Sequence, residues 1–309
     1  HVGSALAEGY YTLMLSRIGV ACAHSIFWSI ASPLAVRTVP DGRRALALSA
    51  IATGSSVAMV VGLPLGRVVG LYVGWRMTFL SIAIISALIF VFILMVFPKL
   101  QSRGKFAFKE LPTLLHNRVL LGVFIMSVLF ATAHYTGYSY IEPFLGKVAA
   151  MAPDTVTLVL IVFGGSGMFG SIAFSKYYMS NRRRFMLAVT LGPALCMLLL
   201  QAAATGMAYI LAVCILWGAM ATAFNIAFQD NTIRFAPEHA TSIGMSIFSG
   251  IFNLGIGSGA YVGGLVVSRL SIEYIGYAGG AIGMIAALYL TLRYFPNMRR
   301  REAADIKQK

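Results

Sequence analysis

Nine apolar stretches of twenty or more residues recur along this chain, and no other feature limits its fold as severely. They cover residues 10–36, 45–71, 76–97, 119–142, 153–175, 185–204, 208–232, 240–268 and 275–295. Each can cross the roughly 30 Å hydrocarbon core of a bilayer, which takes a helix of about 20 residues. No apolar/polar alternation competes with them, and a helix satisfies all its backbone polar groups within its own segment. Of the 309 residues 59% are hydrophobic and 11% charged, with mean hydropathy +0.81. That is too little charge to clothe a water-soluble surface of this size. The sequence therefore predicts an all-α integral membrane protein, with lipid as its first partner.

The formal charge of +14 would suggest nucleic acid in a soluble protein, but its placement argues otherwise. Nineteen of the 24 Lys and Arg lie in alternate loops and the tail: Arg37/Arg43/Arg44, Lys99 to Arg118, Lys176 to Arg184, Arg234, and Arg293 to Lys309. The intervening loops hold Arg76, Lys147 and Arg269, while Arg17 and Arg67 belong to spans. Basic loops stay on the cytoplasmic side. Loops 37–44, 99–118 and 176–184 and the C-terminus are thus expected inside, with 146–153 and 269–274 outside. No nucleic-acid partner is expected. Cys22, Cys196 and Cys214 all fall in spans and form no disulfide framework. No residue group has metal-ligand spacing, and there is no phosphate loop or nucleophile motif, so neither cofactor nor enzyme activity is expected.

The chain also repeats itself at an offset of 197 residues. "VRTVPDGRRALALSAIATG" from Val36 lies over "IRFAPEHATSIGMSIFSGI" from Ile233, matching Arg37 with Arg234, Pro40 with Pro237, Asp41 with Glu238 and Ser49 with Ser246. Gly62 then meets Gly259 and Gly66 meets Gly263; after five inserted residues "YVGW" (Tyr72 to Trp75) meets "YIGY" (Tyr274 to Tyr277). Parallel repeats of this kind build many transporters. Residues 98–118 form the longest polar stretch between spans, with three spans before it and six after. The counterpart of residue 119 falls before residue 1, so an N-terminally shortened twelve-helix protein is expected. Its parts are the remainder of an N-terminal bundle (1–98), a cytoplasmic linker (99–118) and a C-terminal six-helix bundle (119–309).

These halves, the basic central loop and "GWRMTFL" (Gly74 to Leu80) resemble the major facilitator superfamily. "ATGSSVAMVVGLPLGRVVG" is similar to the helix-five motif of its antiporters, a glycine run closing on Gly-x-Pro-x-x-Gly, with one residue fewer after the proline. "SRIGVACAHSIFWSI", "GLPLGRVVGLYVGWRMTF", "AHYTGYSYIEPF" and "FSGIFNLGIGSGAYVGG" resemble the bacterial sugar efflux transporters, exporters of arabinose-type sugars and thiogalactosides. The resemblance covers the whole chain, whose spans then correspond to helices four to twelve. It implies two six-helix bundles, a monomeric carrier of the bacterial inner membrane, and sugar export by proton antiport with alternating access.

Glycines at every fourth position, Gly62, Gly66, Gly70 and Gly74, line one helix face, where a neighbouring backbone can approach closely. Gly255, Gly259 and Gly263 form a matching ridge. Two readings stand: static packing, or surfaces on which the halves slide, with Pro64 permitting a bend. Arg67, towards the outer end of its span, reads as a snorkelling side chain.

Polar side chains also fall on single helix faces, where they should look inward or onto a watery cavity. Arg17, His24, Trp28 and Ser32 form one stripe; His134, Tyr138 and Glu142 form another, with Tyr135 and Ser139 adjoining. Asn225 and Gln229 share a face, as do Ser246, Ser249 and Asn253. His24, Trp28, His134, Tyr135, Tyr138, Asn225, Gln229 and Asn253 are the candidate substrate contacts, although Asn253 and Ser249 equally suit helix–helix bonds. Arg17, His134 and Glu142 are candidate proton-coupling groups, Glu142 equally an interfacial anchor. Asp230, four residues before Arg234, reads as a local ion pair. Such a lining suits a small neutral hydroxylated molecule, and on chemistry alone nucleosides or uncharged drugs as well. A channel would not need paired glycine ridges, and an intramembrane enzyme would need a reactive constellation that is not spaced here.

Overall fold

The computed structural model describes residues 1–40, 42–96, 111–237 and 240–307; the side chains at 25, 29, 59, 63, 64, 67, 71, 111, 113 and 304–307 lie outside that description. The Asp41–Glu238 match, the linker at 99–110 and the side chains of Pro64 and Arg67 thus fall outside the described residues. Among those described there are helices and no strands. A short helix α1 (Val2–Ala5) is followed by α2 (Tyr10–Arg37), α3 (Arg44–Tyr72) and α4 (Trp75–Val96). Then come α5 (Leu111–His116), α6 (Arg118–Tyr138), α7 (Ile141–Lys147), α8 (Pro153–Tyr177) and α9 (Arg182–Ala203). α10 (Met207–Phe235), α11 (Thr241–Arg269), α12 (Ile275–Tyr289) and α13 (Phe295–Lys307) complete the chain. Nine helices among the described residues are long and apolar enough to span a membrane.

Local chemistry sets the helix starts. Asn117 caps α6 by accepting from the Val119 and Leu120 amides at 3.0 and 3.4 Å, while its Nδ2 donates to the Phe235 carbonyl at 3.1 Å. One side chain thus fixes the start of α6 against the end of α10. Asn181 caps α9 through the Arg184 amide at 3.1 Å, and Pro153 opens α8 where its missing N–H costs nothing. The expected span 119–142 is broken: α6 stops at Tyr138 and a separate α7 starts at Ile141. The last span gains a π-helical turn at Leu290–Tyr294 before running into α13.

The repeat governs the architecture. α2 and α10 start at Tyr10 and Met207, and α3 and α11 at Arg44 and Thr241, each pair 197 residues apart. α11 lies mainly on α6, α10 on α8 and α9, and α12 on α9 and α6, making one packed bundle. The earlier helices meet this bundle through α3 on α8 and α2 on α11. Lipid offers no hydrophobic drive between helices, so such contacts depend on close packing and hydrogen bonds.

The two glycine ridges do different jobs. A Cβ on Gly255, Gly259 or Gly263 would lie 2.6 Å from Ala131 Cβ, 2.5 Å from Thr132 O and 2.7 Å from Thr136 O, so the α11 ridge is filled by α6 of its own bundle. Gly62 has nothing within 4 Å; Gly66 and Gly70 meet only Thr78 of α4, at 3.6 and 3.4 Å. Gly74 is not part of the ridge; it ends α3 with φ +106°, a conformation that favours glycine. Of the two readings, static packing is the one these contacts support for the α11 ridge. The glycines that face the other half are Gly165 and Gly167 of α8, which meet Val60 and Ser56 of α3. Ser49 donates to the Ser171 carbonyl along the same contact, at 2.9 Å. Ser49, Ser56 and Val60 share one face of α3, and the glycine ridge points away from it.

Candidate functional site

A cavity opens at the junction of the two sets of helices. One lobe, of about 270 Å³, is lined by Trp28, Ser55 and Ser56 from one side, and by Phe130, His134, Tyr135, Tyr138, Phe163, Asn225 and Gln229 from the other. A second lobe, of about 240 Å³, shares Trp28, Tyr135, Asn225 and Gln229 and adds His24, Ser249 and Asn253. All eight residues that spacing singles out as substrate contacts therefore reach one cavity. No Asp, Glu, Lys or Arg lines either lobe among the described residues.

Two tryptophans fix two histidines. Trp28 Nε1 donates to His24 Nε2 at 2.8 Å within α2, across one helical turn. Trp217 Nε1 of α10 donates to His134 Nδ1 of α6 at 3.0 Å. An indole N–H can only donate, so the ring nitrogen that receives it carries no proton. In a neutral ring, His134 then holds its proton on Nε2 and His24 on Nδ1. His134 is buried and stacked on Tyr138, with ring centroids 5.3 Å apart, whereas His24 is exposed.

Where the halves touch, the Ser32 hydroxyl donates to Gln229 Oε1, and Gln229 Nε2 donates to Asn225 Oδ1. Ser32 and Gln229 are 197 apart, so equivalent positions of the two repeats meet. Asn253 donates to the Ser249 carbonyl of its own helix at 2.8 Å, a bond within α11 rather than to a neighbour.

One turn from the cavity an ion pair joins the halves. Arg44 Nε lies 2.6 Å from Asp230 Oδ1, and its Nη2 donates to the Asp230 carbonyl at 2.7 Å. Tyr178 donates to Asp230 Oδ2 and accepts from Asn231 Nδ2, both at 3.1 Å. Asp230 thus pairs with a residue 186 positions away, and Arg234 with Glu302 at 3.7 Å; the local Asp230–Arg234 pair that spacing suggests does not form.

The expected coupling stripe is not one constellation. Glu142 sits exposed in α7, beyond the turn that ends α6, and lines neither lobe. Arg17 is exposed with its guanidinium 5.3 Å above the Phe79 ring of α4. Sequence reasoning passed over Trp217, Arg44 and Tyr178. The one available signal for Trp217 was rarity: the chain holds three tryptophans, and two of them bond histidines at the cavity. Among the described residues no group of three or more His, Cys, Asp or Glu could hold a metal ion.

The sequence profile of the Major Facilitator Superfamily matches residues 2–246 and, in a second overlapping match, 182–309. The chain belongs to the major facilitator superfamily. A relative described as a probable sugar efflux transporter, from Helicobacter pylori strain J99, is 40% identical over 291 residues. That alignment takes in 94% of this chain and 74% of the relative. The protein is accordingly a multi-pass member of a transporter family, with the family's all-α fold.

Proposed function

We propose that the protein exports small neutral sugars across the bacterial inner membrane by alternating access with proton antiport, its C-terminal tail in the cytoplasm. The observation that carries this reading is the uncharged junction cavity, where His24, His134, Asn225, Gln229 and Asn253 offer hydrogen bonds beside Trp28, Tyr135 and Tyr138. Hydroxyl groups can accept from the two imidazole N–H groups and the amide nitrogens, while a ring lies on an aromatic face. Two lobes of about 270 and 240 Å³ that share part of their lining give a site of small-molecule size. The relative's description as a probable sugar efflux transporter supports the same reading.

Alternating access draws support from the repeat and from Arg44–Asp230. That pair fastens the start of α3 to the end of α10, at a level the charge pattern assigns to the cytoplasmic side. Opening the cavity inward requires it to part, leaving a carboxylate with only Tyr178 for company. For proton coupling we retain His134 and Glu142. His134 can take a second proton only by giving up the bond from Trp217, because an imidazolium has no lone pair left to accept it.

Transport by the protein in sealed vesicles, measured with sugars, nucleosides and uncharged amphiphiles side by side, tests the reading. Sugar movement that follows a pH gradient and falls at least about tenfold in Asn225→Ala is expected, as for loss of a hydrogen bond to substrate. Nucleosides or amphiphiles moving while sugars do not would overturn the substrate class. If His134→Gln and Glu142→Gln both keep gradient-driven transport, the coupling assignment fails and the sugar assignment stands.

A further inference from the structure

A larger cavity, of about 770 Å³, opens away from the junction, where the end of α5, the start of α6, the end of α10 and α13 converge. Arg118, Arg234, Arg300 and Arg301 line it together with His116 and Asn297, and no carboxylate lines it among the described residues. The nearest acidic group on α13, Glu302, is spent on Arg183 at 3.1 Å and Arg234 at 3.7 Å. Arg118 and Arg300 are exposed and make no ion pair among the described residues. Arg118 and Arg300, lining one space without an ion pair among the described residues, repel each other unless an anion enters.

The rest of the lining narrows the choice of anion. Val119, Phe235, Ala236 and Pro237 give the cavity an apolar wall beside its cations. α13 buries Met298 and exposes Arg299, Arg300 and Arg301, so cations cluster just beyond the apolar part of the last span, where headgroups lie. Asn117 already occupies the first amides of α6, so guanidinium groups rather than a helix end would hold the ligand. A guanidinium fork matches two phosphate oxygens at once. We infer that this cavity binds a phosphate group between Arg118 and Arg300, carried by the headgroup of an anionic phospholipid whose glycerol end rests on the apolar wall.

Melting of the purified protein in neutral detergent tests this, with short-chain phosphatidylglycerol, phosphatidylcholine of the same chain length, or inorganic phosphate added. Phosphatidylglycerol should raise the melting temperature at concentrations where phosphatidylcholine does not, by the linkage that stabilises any ligand-binding folded state. Arg118→Gln with Arg300→Gln should weaken that protection at least about tenfold, and Arg184→Gln, a charge loss at the exposed start of α9, should leave it unchanged. Should the double glutamine variant fail to fold, Arg118→Lys with Arg300→Lys, keeping charge without the fork, should retain protection at a several-fold higher lipid concentration. Equal protection by inorganic phosphate would overturn the lipid as the source. Protection that survives in the double variant, or that Arg184→Gln removes equally, would overturn the site.

Discussion

The helices before the linker and the bundle after it each hold a histidine–tryptophan pair, in contrasting surroundings. His24 and Trp28 are neighbours on one helix, and His24 stands open to the space around α2. His134 and Trp217 come from two helices and are locked into the bundle, with Trp217 wholly buried. The glycine ridges divide the same way: α11's is filled by α6, while Gly62 on α3 has nothing within 4 Å. α4 buries none of its residues, whereas more than half of α6 is buried. A motif repeated in sequence takes its role from the neighbour that reaches it.

The widest difference should come from the ridges. Gly259→Val puts new atoms against the Thr132 carbonyl, and overpacking against backbone costs about 3 kcal/mol or more. Gly62→Val should stay within about 1 kcal/mol, since valine is the better helix former and meets open space. Melting of the purified variants and their folded yield in membranes decide this. For Gly259 and Gly263, yield and transport should fall together, as packing positions demand; an equal loss at Gly62 would break the comparison.

The tryptophans come next. Trp217→Phe strands His134 Nδ1 in a dry site and should cost about 2 kcal/mol, the penalty of a buried polar group left unpaired. Trp28→Phe should cost under about 0.5 kcal/mol in melting yet weaken sugar binding, because that ring lines both lobes. Equal stability losses would show that α2 is held as firmly as the bundle.

Asp230→Asn tests the bond between the regions. Asp230 is buried but the Arg44 side chain is 33% exposed, so the full cost of breaking a buried pair is discounted to about 1–2 kcal/mol. The variant should also raise labelling of a cysteine placed at Leu48, one turn beyond Arg44, from the cytoplasmic side. Unchanged labelling would detach the pair from gating. The smallest effect belongs to Glu142→Gln: this carboxylate is exposed, and stability should move by less than about 0.5 kcal/mol.

The spans were legible because lipid imposes length and apolarity on every crossing, and the repeat was legible because loop and glycine positions arrive in order. Stripes of four-residue spacing found the cavity lining, since a helix face is a property of one segment. What one segment cannot state is which neighbour it faces. Hence the Asp230–Arg234 spacing suggested a local pair where Arg44 competes successfully, and Trp217 went unread beside a histidine 83 residues away. The direction of the α11 ridge, and the role of Gly165 and Gly167, likewise depend on contacts between distant segments.

Ser32 and Gln229 carry one more consequence. Contact between equivalent positions puts that hydrogen bond on the axis relating the repeats. In a dimer of two identical half-length chains, the residue at such a point can only face its own copy. Two serines there would be too short to meet, and two glutamines would crowd the same space. A single chain carrying both copies is released from that constraint: it can set a short donor opposite a long acceptor and pass the bond on to Asn225. The axis thus gains a direction, and the chamber beside it can present unlike walls to one small ligand.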